Sequence, residues 1–226
     1  MLIDSTQNKN LVLEEFLKLC PLEGWSDETL KKACLSCKID KNFSHLVFEN
    51  GALDVAEFFS RNIDDAMFKQ IEALDLTQMK IRDKIKEAVK IRLNLNLSYK
   101  AAIKRMINFY YHPKNSANAL KNCYKTADLI WRSIGDRSTD FNFYSKRAIL
   151  GKIYIRALLC FIDDNSENNN KTWNLLDSEI EKVMKIGKIK NSTRKLVEKL
   201  GNITHNPPSK TLKELAKKLP FFRLFH

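Results

Sequence analysis

Apolar residues recur along most of this chain at intervals of three and four, the spacing of one face of an α-helix. From Leu11 to Cys20, Leu13, Phe16, Leu17 and Cys20 share a face; Pro21 and Gly24 stand as stop signals, and residues 1–10 fall outside the pattern. Ser26-Asp27-Glu28-Thr29 reads as a capped start for a second short helix carrying Leu30, Ala33, Cys34 and Cys37. A third follows around Phe43 to Phe48, and Asn50-Gly51 marks a turn. Longer helices are predicted over Leu53–Leu74, Met79–Leu97 and Lys100–Tyr111, the last closed by His112-Pro113. Another runs from Ser116 or Asn118 to Ile134 and breaks at Gly135-Asp136, after which Ser138, Thr139, Asp140 and Asn142 are candidate caps. The next, Phe143 to Ile162, is apolar on nearly every side, which predicts a core helix. Beyond a polar loop over Asp163–Asn170, a helix over Thr172–Ile186 places Trp173, Leu176, Ile180, Val183 and Met184 on one face.

No strand-like alternation interrupts this series, and only 6 glycines and 5 prolines do, so the predicted fold class is all-α. The first three short helices read as a helix-turn-helix head (1–50) on a helical body (51–200). Residues 201–209 have the composition of a linker, and 210–226 form an amphipathic segment. In that segment Leu212, Leu215, Ala216, Leu219 and Phe222 fall at one-face spacing, and Lys210, Lys213, Lys217, Lys218 and Arg223 lie largely outside the stripe. Phe221, Leu224 and Phe225 add bulk at the end; this is the pattern of a helix lying in a membrane interface.

Charge sharpens the division. Residues 1–75 carry 8 Lys+Arg against 14 Asp+Glu, whereas 76–226 carry 31 against 13. A basic body suits an anionic membrane surface or an acidic partner. The acidic head argues against DNA, because phosphate neutralisation supplies most non-specific affinity. Five cysteines, an odd number set among apolar helix residues, fit a reducing compartment. The opening Met1-Leu2-Ile3-Asp4 does not read as a secretory signal, and no window reaches ~18 uninterrupted apolar residues, the length of a membrane-spanning helix. Chemistry-bearing patterns are scarce. There is no glycine-rich phosphate loop, and His45, His112, His205 and His226 lie far apart without metal-ligand spacing. Cys34-x-x-Cys37 lacks the β-α-β context of a redox motif. No cofactor, metal or catalytic set is expected.

One stretch is more specific. Ala127 to Tyr154, ADLIWRSIGDRSTDFNFYSKRAILGKIY, resembles the core motif of the ubiquinone-biosynthesis accessory family, the "coenzyme Q nine" proteins. Gly24-Trp25, Arg92 before Leu93, Asp163-Asp164-x-Ser166 and Thr172-Trp173-x-x-Leu176 agree with that family in order, so the resemblance covers most of residues 11 to 190. It implies a TetR-like helical bundle with a vestigial helix-turn-helix head that does not read DNA, a lipid cavity in the body, and an amphipathic C-terminal helix at the membrane. It further implies a non-catalytic role: binding an isoprenoid quinone intermediate or phospholipid and presenting the quinone to the di-iron demethoxyubiquinone hydroxylase. Pairing as a homodimer follows from the TetR-type fold, and the expected location is cytoplasmic, peripheral to the inner membrane of a bacterium. By position the hydroxylase-docking patch falls on Asp140, Phe143, Tyr144 and Arg147, with Phe143 standing where many family members have Trp. Candidate cavity linings are Phe59, Met67, Leu93, Met106, Phe109, Ile130, Tyr154 and Leu158. Membrane contact is expected of Leu212, Lys213, Leu215, Lys217, Leu219, Phe221, Phe222, Leu224 and Phe225. The alternative is a TetR-like DNA-binding transcriptional regulator.

Overall fold

The computed structural model of the chain describes residues 6–137 and 141–201, with side chains over 6–137 and 143–185. The amphipathic segment 210–226, and with it every residue expected at the membrane, lies outside the described residues. So do Ser138, Thr139 and Asp140. Among the described residues every regular element is helical: α1 (Thr6–Glu23), α2 (Asp27–Ser36), α3 (Ser44–Val47), α4 (Ala52–Glu72), α5 (Ile81–Asn94), α6 (Lys100–Tyr110), α7 (Pro113–Ser133), α8 (Phe141–Ile162) and α9 (Asn170–Gly201). The chain divides into two compact units, Met1–Ile180 and Glu181–His226. Within the second, the charged stretch after Lys188 continues as helix to Gly201.

Ser26 caps α2 as its sequence predicts, its side chain accepting from the Thr29 amide at 3.2 Å. The α1 boundaries differ from expectation. The helix starts at Thr6 and runs through Pro21. Pro21 sits in the last turn, its carbonyl accepts from Arg105 Nε at 2.9 Å, and Gly24 at φ +90° ends the helix with its amide on the Cys20 carbonyl. His112-Pro113 does not simply close a helix. Pro113 is the first residue of α7, where its missing N–H costs nothing and its fixed φ suits the first turn. Gly51 (φ +61°) opens α4 and is tightly constrained: a Cβ there would stand 2.2 Å from Asp27 Oδ1. That carboxylate accepts from the Ala52 amide at 2.7 Å, and Trp25 Nε1 donates to the Ala52 carbonyl at 2.8 Å. Through these contacts, the apolar cluster of the first fifty residues (Phe16, Trp25, Leu30, Val47) continues into Val55 and Phe59 of α4 and Ile103 of α6.

The helix read as buried all round is not. On α8, Leu150, Ile153, Tyr154, Ala157 and Phe161 are buried, while Ile149 (37%) and Leu159 (40%) are exposed beside Lys152 and Arg156. Its apolar residues exceed what one buried stripe requires. One carboxylate gathers four hydrogen bonds in the loop after α8. Asp164 accepts the Ser166 amide and hydroxyl (2.9 and 2.6 Å) and the Thr172 amide and hydroxyl (2.8 and 2.6 Å), tying the loop to the first turn of α9. Burial would raise its pKa, but these four bonds outweigh it and hold it well below the usual carboxylate range.

Replacing Asp164 with alanine is expected to lower unfolding stability at pH 7 by roughly 2 kcal/mol. Because the folded-state pKa lies below the unfolded value, this contribution is complete above about pH 4 and is lost as pH falls through the folded pKa. Urea titrations of both proteins from pH 7 down to the acid limit check this: the gap narrows with acid, whereas a constant gap contradicts the assignment.

Candidate functional site

A cavity of about 370 Å³ opens among α4, α5, α6, α7 and α8. Its walls are mostly apolar: Phe59 from α4, Ile103, Met106 and Ile107 from α6, Ala119 from α7, and Ile155 and Leu158 from α8. Where it reaches the surface it is rimmed by Tyr111 (74% exposed), Leu120 (66%) and Leu159 (40%), large apolar side chains left in water. Among the described residues, Arg92 is the one charged side chain in the lining.

Arg92 is 4% exposed. Its Nε donates to Asp64 Oδ1 at 2.8 Å, and Thr126 Oγ1 donates to Asp64 Oδ2 at 2.9 Å, so α5, α4 and α7 meet at one buried carboxylate. The α8 side chain Tyr154 stands with its ring 5.2 Å from the guanidinium carbon. Burial alone would lower the Arg92 pKa; Tyr154 and Asp64 outweigh it, and the guanidinium stays charged. Burial pushes the Tyr154 phenol up to about 12 and the Cys123 thiol up to about 11, so both are neutral. Asn122 Nδ2 donates to the Tyr110 hydroxyl at 3.0 Å. Asn96, 1% exposed, also lines the cavity; its Oδ1 is the buried side-chain atom without a hydrogen-bond partner among the described residues.

Of the eight lining residues expected from the sequence, Phe59, Met106, Tyr154 and Leu158 stand in the wall. Met67, Leu93 and Ile130 are fully buried and not in the lining, and Phe109 is partly buried against the cluster of the first fifty residues. The polar lining was missed, although Asp64 and Arg92 each occupy a position in an otherwise apolar helical stripe, which is the sequence signal of a buried pair.

The motif Ala127–Tyr154 forms a second, distinct constellation. Arg147 is 1% exposed. Its Nε donates to Asp128 at 2.5 Å, and Nη1 donates to Asp136 at 3.2 Å and to the Phe143 carbonyl at 3.0 Å. The Phe143 ring covers its guanidinium carbon at 3.4 Å. Lys146 donates to Asp136 at 2.7 Å, and Trp131 Nε1 donates to the Lys146 carbonyl at 3.1 Å. The end of α7, the turn at Gly135 (φ +90°) and the start of α8 are thus locked together. Of the expected docking residues, Tyr144 (64% exposed) faces solvent, Phe143 is half-buried against it with ring centroids 5.1 Å apart, and Arg147 lies beneath. Asp140 lies outside the described residues.

Neither nucleic-acid nor thiol chemistry finds support. The element that would enter a DNA groove is α3, four residues long and without lysine or arginine. Cys34 and Cys37 are free thiols on and just after α2; burial pushes Cys34 up to about 11, the opposite of a reactive thiolate. Among the described residues no group of His, Cys, Asp and Glu is placed to hold a metal ion, and no helix is long and apolar enough to cross a membrane.

Comparison with known proteins bears on both constellations. Residues 116–187, which include the whole Arg147 lock, match the COQ9 family. The chain is 28% identical over 192 residues to the probable ubiquinone biosynthesis protein coq9, mitochondrial, of Dictyostelium discoideum, covering 82% of this chain and 62% of that protein. It is 25% identical over 204 residues to the ubiquinone biosynthesis protein COQ9, mitochondrial, of Rattus norvegicus, covering 86% and 65%. The chain therefore spans less than two thirds of the length of these relatives. Among solved structures, a TetR transcriptional regulator from Nitrosomonas europaea ATCC 19718 superposes with a TM-score of 0.62 at 16% identity, covering 76% of this chain and 95% of the regulator. That likeness shows a TetR-like fold. The resemblance drawn from Ala127–Tyr154 holds. The expected location does not: the named relatives are mitochondrial, which overturns a place at a bacterial inner membrane.

Substituting Arg147 with alanine leaves Asp128 and Asp136 under-paired in a buried position and is expected to cost roughly 3–5 kcal/mol of stability. Tyr144→Ala, on the surface, is expected to stay within about 0.5 kcal/mol of the parent. Denaturant unfolding of the two variants separates the buried lock from the exposed ring.

Proposed function

Starting from the likeness to the COQ9 proteins, we propose that this chain is a non-catalytic accessory protein of ubiquinone biosynthesis that holds an isoprenoid lipid in the α4–α8 cavity. The observation that carries the reading is the cavity itself: about 370 Å³, apolar-walled, and within the size range of small-molecule sites. Its polar lining includes Ser60, Arg92, Asn96, Ser116, Asn122 and Thr126 among a larger apolar wall. That composition suits an amphiphile with a long tail and a small polar head, an isoprenoid quinone intermediate in the first place and a phospholipid in the second. The rim of Tyr111, Leu120 and Leu159 gives a tail longer than the cavity an apolar way out.

The remaining parts of the proposal follow from position. The amphipathic segment 210–226, with Leu212, Leu215, Leu219, Phe221, Phe222, Leu224 and Phe225 as its apolar residues and Lys213 and Lys217 among its cations, brings the protein to an anionic bilayer. The exposed Tyr144 and half-buried Phe143, set by Arg147, offer an aromatic contact for the di-iron demethoxyubiquinone hydroxylase, to which the lipid is presented. A homodimer is part of this reading, by analogy with TetR-type folds.

Two measurements test it. Native mass spectrometry of the purified chain is expected to show a co-purifying isoprenoid quinone or phospholipid, and Ala119→Trp, which places an indole in the cavity wall, is expected to reduce the bound fraction and to lower the unfolding temperature by no more than the stabilisation the lipid gave. A lipid-free parent, or an undiminished bound fraction in Ala119→Trp, contradicts the cavity reading. Flotation with anionic liposomes is expected to be lost on deleting residues 208–226; retained flotation removes the membrane role from that segment.

A further inference from the structure

Resting on that reading of the cavity as a lipid site, we infer that the head of the first fifty residues, rather than reading DNA, serves the cavity: Trp25 is a positioning residue that holds Phe59, and through it the head-side wall, in the shape a guest meets. Phe59 lines the cavity from α4 and is 3% exposed. Against it stand two rings that are not in the lining. Tyr99 meets Phe59 edge-on with centroids 5.5 Å apart, and Trp25 lies 6.3 Å away at a tilt of 55°. Trp25 is in turn packed edge-on against Phe16 of α1 at 4.8 Å. Its Nε1 donates to the Ala52 carbonyl at 2.8 Å, so the indole is fixed by a hydrogen bond as well as by its neighbouring rings.

The same grip extends along both helices that carry this wall. At the start of α4, Asp27 accepts the Ala52 amide at 2.7 Å and Phe48 meets Phe58 edge-on at 5.7 Å. Three residues after Phe59, Asn62 Nδ2 donates to Asn10 Oδ1 at 3.1 Å. On α6, Arg105 donates to the Pro21 carbonyl at 2.9 Å. Its neighbours Ile103 and Met106 line the cavity and belong to the same buried cluster as Phe16, Trp25 and Leu30. Head core and cavity wall are therefore one packed body. A void left by the indole is a void beside Phe59, and side chains around such a void relax toward it only by giving up other contacts. Phe59 is then free to turn from the cavity, and the guest meets a wall that has to be ordered on binding, which weakens affinity.

The test uses the full chain stripped of bound lipid, a farnesylated benzoquinone as probe, and equilibrium dialysis at a temperature where circular dichroism shows the variants folded. Trp25→Ala is expected to weaken probe binding about fivefold, the worth of one aromatic contact. Leu30→Ala truncates the head core at a position outside the lining; it is expected to lower the unfolding temperature comparably and to leave affinity within about twofold of the parent. Trp25→Phe keeps a ring and loses the Nε1–H donor; its affinity is expected to fall between the parent and Trp25→Ala, and it carries the comparison alone if Trp25→Ala does not fold. Because Trp25 acts through Phe59, the two losses do not add: in a Phe59→Ala background, Trp25→Ala is expected to change affinity by less than about twofold. Parental affinity in the Trp25 variants, an equal loss in Leu30→Ala, or the full loss on top of Phe59→Ala overturns the inference and leaves the lipid-site reading standing. A parent that does not bind the probe sinks that reading and the inference with it.

Discussion

A guanidinium with almost no contact with water holds one end of this molecule together. Arg147 reaches from the second turn of α8 to Asp128 near the end of α7 and to Asp136 in the turn between them, and Phe143 lies flat against it. Burying three charges is costly, and the arrangement is tolerable because two acids, a backbone carbonyl and an aromatic face meet one planar cation in the geometry it prefers. The turn at Gly135, the start of α8 and the presentation of Tyr144 all depend on it. In this arrangement Arg147 positions a surface rather than forming one.

The second buried arginine works under a different constraint. Arg92 is also paired with an aspartate and also faced by an aromatic ring, but its pair borders empty space instead of packed side chains. Arg147 uses Nε and Nη1 on two carboxylates and a carbonyl, whereas Arg92 uses Nε on one carboxylate. That contrast separates an element that fixes architecture from one that borders a cavity, although the sequence shows only a basic residue at each position.

Much of the fold was legible because helical periodicity is a local signal. The Ser26 cap, the Gly51 and Gly135 turns and the long helices of the body fall close to where spacing puts them. What was misjudged depends on tertiary context. Proline was read as a stop at both Pro21 and Pro113; the first is carried in a last turn whose carbonyl Arg105 satisfies, and the second begins a helix. α8 looked core-like on composition, yet its Ile149–Leu159 face has no covering element among the described residues. The site was half legible for a related reason. Apolar residues in the body are common to wall and packing alike, so Phe59 and Met106 could not be told from Met67 and Ile130 by type. The polar residues in the wall, Asn96 among them, can be told from other polar positions only once the helices are assembled.

Gly151 gives the cavity a stiff side. It lies midway along α8, where an added Cβ would come within 3.2 Å of Cys123 Sγ, and the thiol bonds the Gly151 carbonyl at 3.5 Å. With the Arg147 lock at one end and this close seam in the middle, α7 and α8 behave as a single slab that cannot slide or part without breaking packed contacts. A molecule wider than the entrance can therefore be admitted without disturbing that seam only by a shift of the opposite side, α6 with Tyr110 and Tyr111 at its end.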